Sequence, residues 1–375
     1  MAGIYIHIPF CRKACHYCNF HFSTNTKSIH EMKDAVIKEA ALRRNYLNET
    51  VETIYFGGGT PSLLASESLQ EIIETLNTTF TVDANAEITL EANPDDINEA
   101  RLQEWKQLSI NRLSIGVQSF FEEDLKWMNR AHNAQQAEQS ILLAQQAGFN
   151  NITIDLIYGT PTLTDEQWKQ NVQKAFALNI PHLSCYALTV EPKTALANMI
   201  EKHIMADVSG DTQSRQFELL MQWIEEAGWQ HYEISNFAKP GHRSRHNSSY
   251  WQGNPYIGLG PSAHSFNGTS RQWNIANNAL YLKSIRQDIV PFETETLSVI
   301  EQVNEYIMTS LRTMEGLSFN TIRKKWSNHV AEEIKIDAKK FITHQLMIYA
   351  DEHLILTRKG KLVADGIAAD LFRTA

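Results

Sequence analysis

Cys11, Cys15 and Cys18 fall within eight residues directly after an apolar stretch, Ile4 to Phe10, in the spacing C-x3-C-x2-C. Three thiolates on one short loop can hold three corners of a cubane iron–sulfur cluster. The run supplies no fourth ligand, so one iron is left open to another molecule. A structural zinc site would need a fourth nitrogen or sulfur ligand, and the second C-x2-C knuckle that would complete it is missing, although His16 or His21 could fill the gap. A disulfide reading fails on number, because the only other cysteine is Cys185. It also fails on compartment, because Met-Ala-Gly-Ile-Tyr opens the chain without the basic segment, apolar core and cleavage site of a secretory signal. Reduced thiols in a cytoplasmic protein are the expectation.

Composition sets the outer bounds. With 375 residues, 43% hydrophobic and 21% charged, the chain can bury a barrel-sized core plus one or two smaller domains. No run approaches about 18 uninterrupted apolar residues, so no membrane-spanning helix is expected. A formal charge of −9 and a pI near 5.9 argue against a nucleic-acid partner, which would need clustered Lys and Arg to neutralise phosphates.

The elements that must position the cysteines alternate regularly. Strands are expected at 3–9, 50–56, 86–90, 112–117, 151–157 and 182–187, and helices at 28–46, 66–80, 97–108, 121–128, 134–147 and 165–178. Strand, helix, strand repeated in this way requires right-handed crossovers and a parallel sheet. Six units are visible where a closed barrel needs eight, so the fold class is α/β, a partial (βα)6 barrel of the TIM type.

Such a barrel carries its chemistry on the loops after the strands. The cysteine loop follows the first strand. Gly57-Gly58-Gly59-Thr60-Pro61 follows the second, where glycines let the backbone approach a ligand closely. Glu91-Ala92-Asn93-Pro94 ends the third strand and Gly116-Val117-Gln118-Ser119 the fourth, while Asp155 lies in the apolar fifth. A carboxylate there is costly to bury unless it faces a cavity with a partner, so together these residues describe a polar rim around a ligand.

The combination resembles the radical S-adenosylmethionine superfamily. More narrowly, Tyr5-Ile-His-Ile-Pro-Phe-Cys11, Ser114-Ile-Gly-Val-Gln-Ser-Phe120 and Ile154-Asp-Leu-Ile-Tyr-Gly-Thr-Pro161 are similar to the oxygen-independent coproporphyrinogen III oxidases and their relatives. The resemblance runs essentially along the whole chain. It implies that Cys11, Cys15 and Cys18 ligate a [4Fe-4S] cluster whose open iron takes the amino and carboxylate groups of S-adenosyl-L-methionine. Tyr5, Gly58 and Glu91 match positions that contact that molecule, and Tyr17 stands where an aromatic residue is expected. Gly59, Thr60, Gln118, Arg130 and Asp155 match contacts to a second S-adenosylmethionine in the decarboxylating branch. The implied chemistry is one-electron reduction of the sulfonium, giving methionine and a 5′-deoxyadenosyl radical.

Departures from the decarboxylating enzymes point to a sister group, the haem chaperones often labelled oxidase-like. Phe20 stands where those enzymes add a fourth cysteine, only ten residues precede Cys11, and Thr189 occupies a position that helps hold the second nucleotide. His246-Asn-Ser-Ser-Tyr-Trp251 reproduces the H-N-x-x-Y-W signature of the chaperones, whose histidine is associated with haem. An imidazole can ligate haem iron and neighbouring rings can cover the macrocycle, but the segment could equally be a hydrogen-bonding corner that docks on the barrel. His264, after Gly258-Leu-Gly-Pro-Ser-Ala, is a second candidate porphyrin contact for which a structural role is the main reading. Cys185 reads as a core thiol.

Residues 1–190 are thus expected to form the barrel, 191–294 a linker and haem-facing region, and 295–375 a helical, winged-helix-like domain. In the last, helices at 297–312, 318–326 and 331–345 precede a hairpin at 347–357. Arg323, Lys324 and Lys325 make too short a basic cluster in an acidic protein for DNA binding. Two readings follow. The first is a haem chaperone that passes haem to acceptor proteins, respiratory ones among them, with a homodimer as one compatible assembly. The second is a radical enzyme converting coproporphyrinogen III to protoporphyrinogen IX.

Overall fold

Ile4, Ile6 and Ile8 alternate with Tyr5 and His7 in the first strand, and this alternation sorts the two faces of the sheet. The isoleucines join Met32 and Val36 of the following helix in the main core. The two polar-tipped rings turn inward instead, where Tyr5 stacks on Tyr55 of the next strand. The computed structural model describes residues 1–374. Its first half holds β1 (Ala2–Ile8), α1 (Ile29–Leu42), β2 (Val51–Gly58), α2 (Ser66–Thr79), β3 (Val82–Ala92), α3 (Glu99–Gln107) and β4 (Arg112–Gln118). It continues with α4 (Glu122–Trp127), α5 (Ala134–Gln146), β5 (Ile152–Tyr158), α6 (Asp165–Ala177) and β6 (His182–Ala187). All six strands pair in parallel in sequence order, as the βα alternation requires.

Capping boxes built by Asn133 with Gln136 and by Thr164 with Gln167 start α5 and α6, satisfying backbone donors that a helix start leaves unpaired. Trp105 of α3 and Trp168 of α6 are fully buried against the sheet.

The segment 191–294, expected as a linker and haem-facing region, supplies strands to both edges of the sheet. After α7 (Ala195–Glu201) and α8 (Gly210–Glu226), β7 (Gln230–Glu233) and β8 (Asn236–Ala238) form a hairpin that pairs antiparallel with β6. After α9 (Arg245–Trp251), β9 (Tyr256–Leu259) pairs in parallel with the other side of β1. Next come β10 (His264–Phe266), β11 (Ser270–Asn274), α10 (Asn278–Arg286) and β12 (Phe292–Thr296), whose strands extend the sheet antiparallel. The result is one open sheet in the order β12-β11-β10-β9-β1-β2-β3-β4-β5-β6-β8-β7. Among the described residues β1 and β6 do not pair, so the barrel is partial and unclosed.

The C-terminal part has its own core around Ile307, Phe319, Ile334, Leu354 and Ile367. Its elements are α11 (Val299–Leu311), β13 (Leu317–Ser318), α12 (Phe319–Lys325), α13 (Asn328–Thr343), β14 (Met347–Ala350), β15 (His353–Leu356), α14 (Arg358–Lys361) and α15 (Ala364–Asp370). Three helices and a hairpin appear where the sequence places them. No described helix is long and apolar enough to cross a membrane.

Candidate functional site

The cysteine loop is held in place by the protein itself. Cys11 N–H donates to Ser23 O at 3.1 Å, Gly59 N–H to Ile8 O at 2.9 Å, and Thr60 N–H to Phe10 O at 2.7 Å. The second-strand glycines thereby clamp the start of the loop. A side chain at Gly59 would put its Cβ 2.6 Å from Phe10 O and 2.8 Å from Ile8 O, so only glycine allows this approach. On the other side, Asn129 Nδ2 donates to Ala14 O at 2.8 Å and Lys13 Nζ to Arg130 O at 3.1 Å. The two histidines that could have completed a zinc site have other partners. His16 Nδ1 donates to Trp127 O at 2.9 Å and His21 Nε2 to Asn278 Oδ1 at 2.7 Å. Among the described residues no three His, Cys, Asp or Glu side chains converge tightly enough to hold one metal ion.

All three thiols open on a cavity of about 450 Å³ at the C-terminal end of the strands. Tyr17, Gly58, Gly59, Thr60, Glu91, Gln118, Arg130 and Asp155, each singled out from sequence, line it, as do Phe20 and Thr189. Tyr5 lies one layer deeper, its hydroxyl donating to His7 Nδ1 at 3.2 Å. Gln118 takes a left-handed backbone conformation, φ 66°, at the end of β4, a strained placement of the kind found at ligand sites.

The wall is charged in a particular way. Burial pushes the Glu91 carboxyl up to about 7, Asp155 adds to the effect, and the Tyr55 hydroxyl, donating at 2.7 Å, opposes it. Burial likewise raises Asp155 to about 6, against hydrogen bonds from Ser184 and Ser114 and the charge of Arg130. Arg130 spans the floor, its Nη2 donating to Asn93 Oδ1 at 2.8 Å and Gly116 O at 2.9 Å, and its Nη1 to Cys15 Sγ at 3.2 Å. Its Nε is buried without a partner among the described residues. Burial also lifts the Cys18 thiol to about 11. Thiols that resist ionising alone gain most from a metal partner, which deprotonates a coordinating thiol outright.

These residues fit a cluster and S-adenosylmethionine. The thiols, the guanidinium beside Cys15 and the glycine clamp can hold the former. The two carboxylates can neutralise a ligand's ammonium and sulfonium. Tyr55, Asn93, Ser114 and Ser184 were not singled out from sequence. The signal for Tyr55 was present, since it shares the inward face of β2 with Gly57 next to the polar-tipped Tyr5 of β1.

His246 lies elsewhere. It is 1% exposed, with Thr53 Oγ1 and Tyr250 OH each 2.8 Å from its two ring nitrogens and the Tyr55 ring stacked on it at 4.9 Å. Burial lowers its pKa to about 3. Its backbone N–H donates to Glu87 at 3.1 Å. The segment thus docks α9 against the inward face of β1 and β2, below the cavity, as the hydrogen-bonding-corner reading has it. Cys185 is buried in β6, its pKa raised by burial, as a core thiol should be. His264 is exposed.

A three-thiol loop and a glycine clamp at the C-terminal rim of a parallel (βα)6 sheet define a radical S-adenosylmethionine protein, and residues 5–175 match the family model described as Radical SAM superfamily. The whole chain superposes on coproporphyrinogen III oxidase (HemN) from Escherichia coli with a TM-score of 0.85, covering 99% of this chain and 90% of that one at 23% identity, which shows a shared fold. Heme chaperone HemW from Bacillus subtilis is 32% identical over 374 residues, 98% of each chain. HemW from Escherichia coli is 37% identical over 273 residues, 70% of this chain and 69% of that one. This chain belongs to the HemW family.

Proposed function

We propose that the chain binds haem and hands it to acceptor proteins, with a [4Fe-4S] cluster on Cys11, Cys15 and Cys18 and S-adenosylmethionine in the adjoining cavity. The observation that carries this reading is the end-to-end similarity to proteins named as haem chaperones, together with a cavity whose lining suits both cofactors. When bound, the cluster and nucleotide supply one-electron chemistry at the sulfonium. The chain's own residues bind and shield. Gly58 and Gly59 admit the ligand to the backbone, Glu91 and Asp155 balance its positive charge, and Arg130 compensates thiolate charge at Cys15. Respiratory proteins as acceptors, a homodimer and a cytoplasmic location belong to the same proposal.

One observation favours the oxidase as the second reading: Gly59, Thr60, Gln118, Arg130 and Asp155, the matches to a second nucleotide site, line one cavity. Both readings are tested on one anaerobic, cluster-loaded preparation. Haem binding and transfer to an apo-acceptor, without formation of protoporphyrinogen IX from coproporphyrinogen III, is the expected result. Turnover of the porphyrinogen without haem binding would reverse the ranking.

A further inference from the structure

We infer that His246 is a positioning residue for the nucleotide site, holding Tyr55 beneath the Glu91 carboxylate, an inference that rests on the reading of the cavity as an S-adenosylmethionine site. The pleat sets this up. Thr53, Tyr55 and Gly57 share the inward face of β2, where Thr53 pairs with Glu87 and Tyr55 with Thr89 of β3. Tyr55 reaches along the barrel and donates to Glu91 Oε1 at 2.7 Å. Beneath it the His246 ring stacks at 4.9 Å, the two planes 22° apart.

The rings are tightly packed. Thr53 Oγ1 and Tyr250 OH, each 2.8 Å away, fix both ring nitrogens of His246, one donating and the other accepting. Tyr5 of β1 stacks on Tyr55 at 6.1 Å. A Cβ at Gly57 would lie 2.9 Å from the rings of both Tyr5 and Tyr55 and 3.1 Å from Glu91 Oε1. One at Gly3 would lie 2.9 Å from Thr53 Oγ1 and 3.4 Å from His246 Cε1. Two glycines thus leave the room in which the rings and the carboxylate pack. Burial lowers the His246 pKa to about 3, so the neutral imidazole acts on Tyr55 by contact and not by charge.

The rest of the segment keeps His246 in place. Arg245 N–H and His246 N–H donate to Glu87 Oε1 at 2.9 and 3.1 Å, tying the start of α9 to the same face of β3 that carries Glu91. Tyr250 packs edge-on against Tyr256 of β9 at 4.6 Å, and the Arg312 guanidinium lies over the Trp251 ring at 5.4 Å. Truncating His246 removes the ring against which Tyr55 rests, so the Tyr55 hydroxyl loses its fixed aim at the carboxylate. Glu91 then relies on its other donor, the Gly58 N–H, and its ionised form, the one that meets an ammonium, is less well held.

The test measures S-adenosylmethionine binding by anaerobic calorimetry on the cluster-loaded full chain, in wild type, His246→Ala, His246→Phe, Tyr55→Phe and the double variant His246→Ala with Tyr55→Phe. Iron and sulfide content is checked for each. No haem is present, so any part His246 plays toward iron does not enter. His246→Ala and Tyr55→Phe should each weaken binding about tenfold, the order of one hydrogen bond to a charged group, and the double variant no more than either alone. His246→Phe keeps a flat ring against Tyr55 but leaves the Thr53 and Tyr250 hydroxyls unpaired, so it should melt lower yet bind within about twofold of wild type. His246→Leu, which fills the space without a flat ring, replaces the alanine variant if that chain does not fold. Wild-type affinity in His246→Ala, losses that multiply in the double variant, or affinity that follows melting temperature across the series would overturn the inference and leave the nucleotide site standing. Failure of the wild-type chain to bind S-adenosylmethionine would overturn the reading of the cavity itself.

Discussion

Glu91 is the residue at which the site opposes the stability of the fold, and Glu91→Gln measures by how much. Its carboxyl is raised from 4.5 to about 7, chiefly by burial, so ionising it costs more in the folded than in the unfolded chain. The sign follows. The favourable contribution of the protonated acid is complete below about pH 4.5 and is lost as pH rises through about 7. At about 1.4 kcal/mol per tenfold change, the full shift corresponds to about 3 kcal/mol at pH 8, and solvent in the open cavity reduces this to about 1–2 kcal/mol. Glutamine keeps an oxygen to accept the Tyr55 hydroxyl and removes the charge. Melting of cluster-loaded protein under argon, without S-adenosylmethionine, is therefore expected to show the variant gaining on wild type from about pH 5.5 to pH 8.5, ending about 1–4 °C higher. Nucleotide binding by the same variant should fall at least tenfold, a stability–function trade-off located at one atom pair. A variant that melts lower at pH 8.5, or by a pH-independent margin, would refute the reasoning.

Three further outcomes are expected. Glu39→Ala leaves Arg43 buried without its carboxylate and strips Gly260, Asn274 and Tyr281 of their acceptor, so unfolding should be easier by about 3–5 kcal/mol, read by denaturant titration; a change below about 1 kcal/mol would contradict the buried network. Gly59→Ala drives a Cβ into the backbone of Ile8 and Phe10, so reconstituted iron content should drop and nucleotide binding disappear, whereas full loading would show that the clamp is slack. Cys185→Ala should keep the full iron and sulfide content and lose only about 1–2 kcal/mol of stability, and loss of cluster there would bring a fourth thiol into the site.

The six βα units and the three helices and hairpin near the C-terminus were legible because each strand or helix core is a long apolar run bounded by polar turns. Strands β7 to β12 were not. They hold three to five residues each, as in Asn236–Ala238 and His264–Phe266, too few for a periodicity to emerge, and they find their places by pairing outward from β6, through β8, and from β1, through β9. The cavity was largely readable because its residues end successive strands. What sequence could not supply was which way His246 and His264 face, since that depends on Thr53, Tyr250 and the Glu39–Arg43 pair, residues far apart in the chain.

The most direct measurement is EPR of the anaerobically reduced, reconstituted chain with and without S-adenosylmethionine, alongside iron and sulfide analysis of single Cys11, Cys15 and Cys18 variants. The account expects about four irons and four sulfides per chain, loss of that content in each variant, and a signal displaced when the nucleotide is added. A full cluster in a variant lacking any one of the three thiols, or a signal indifferent to the nucleotide, would contradict it.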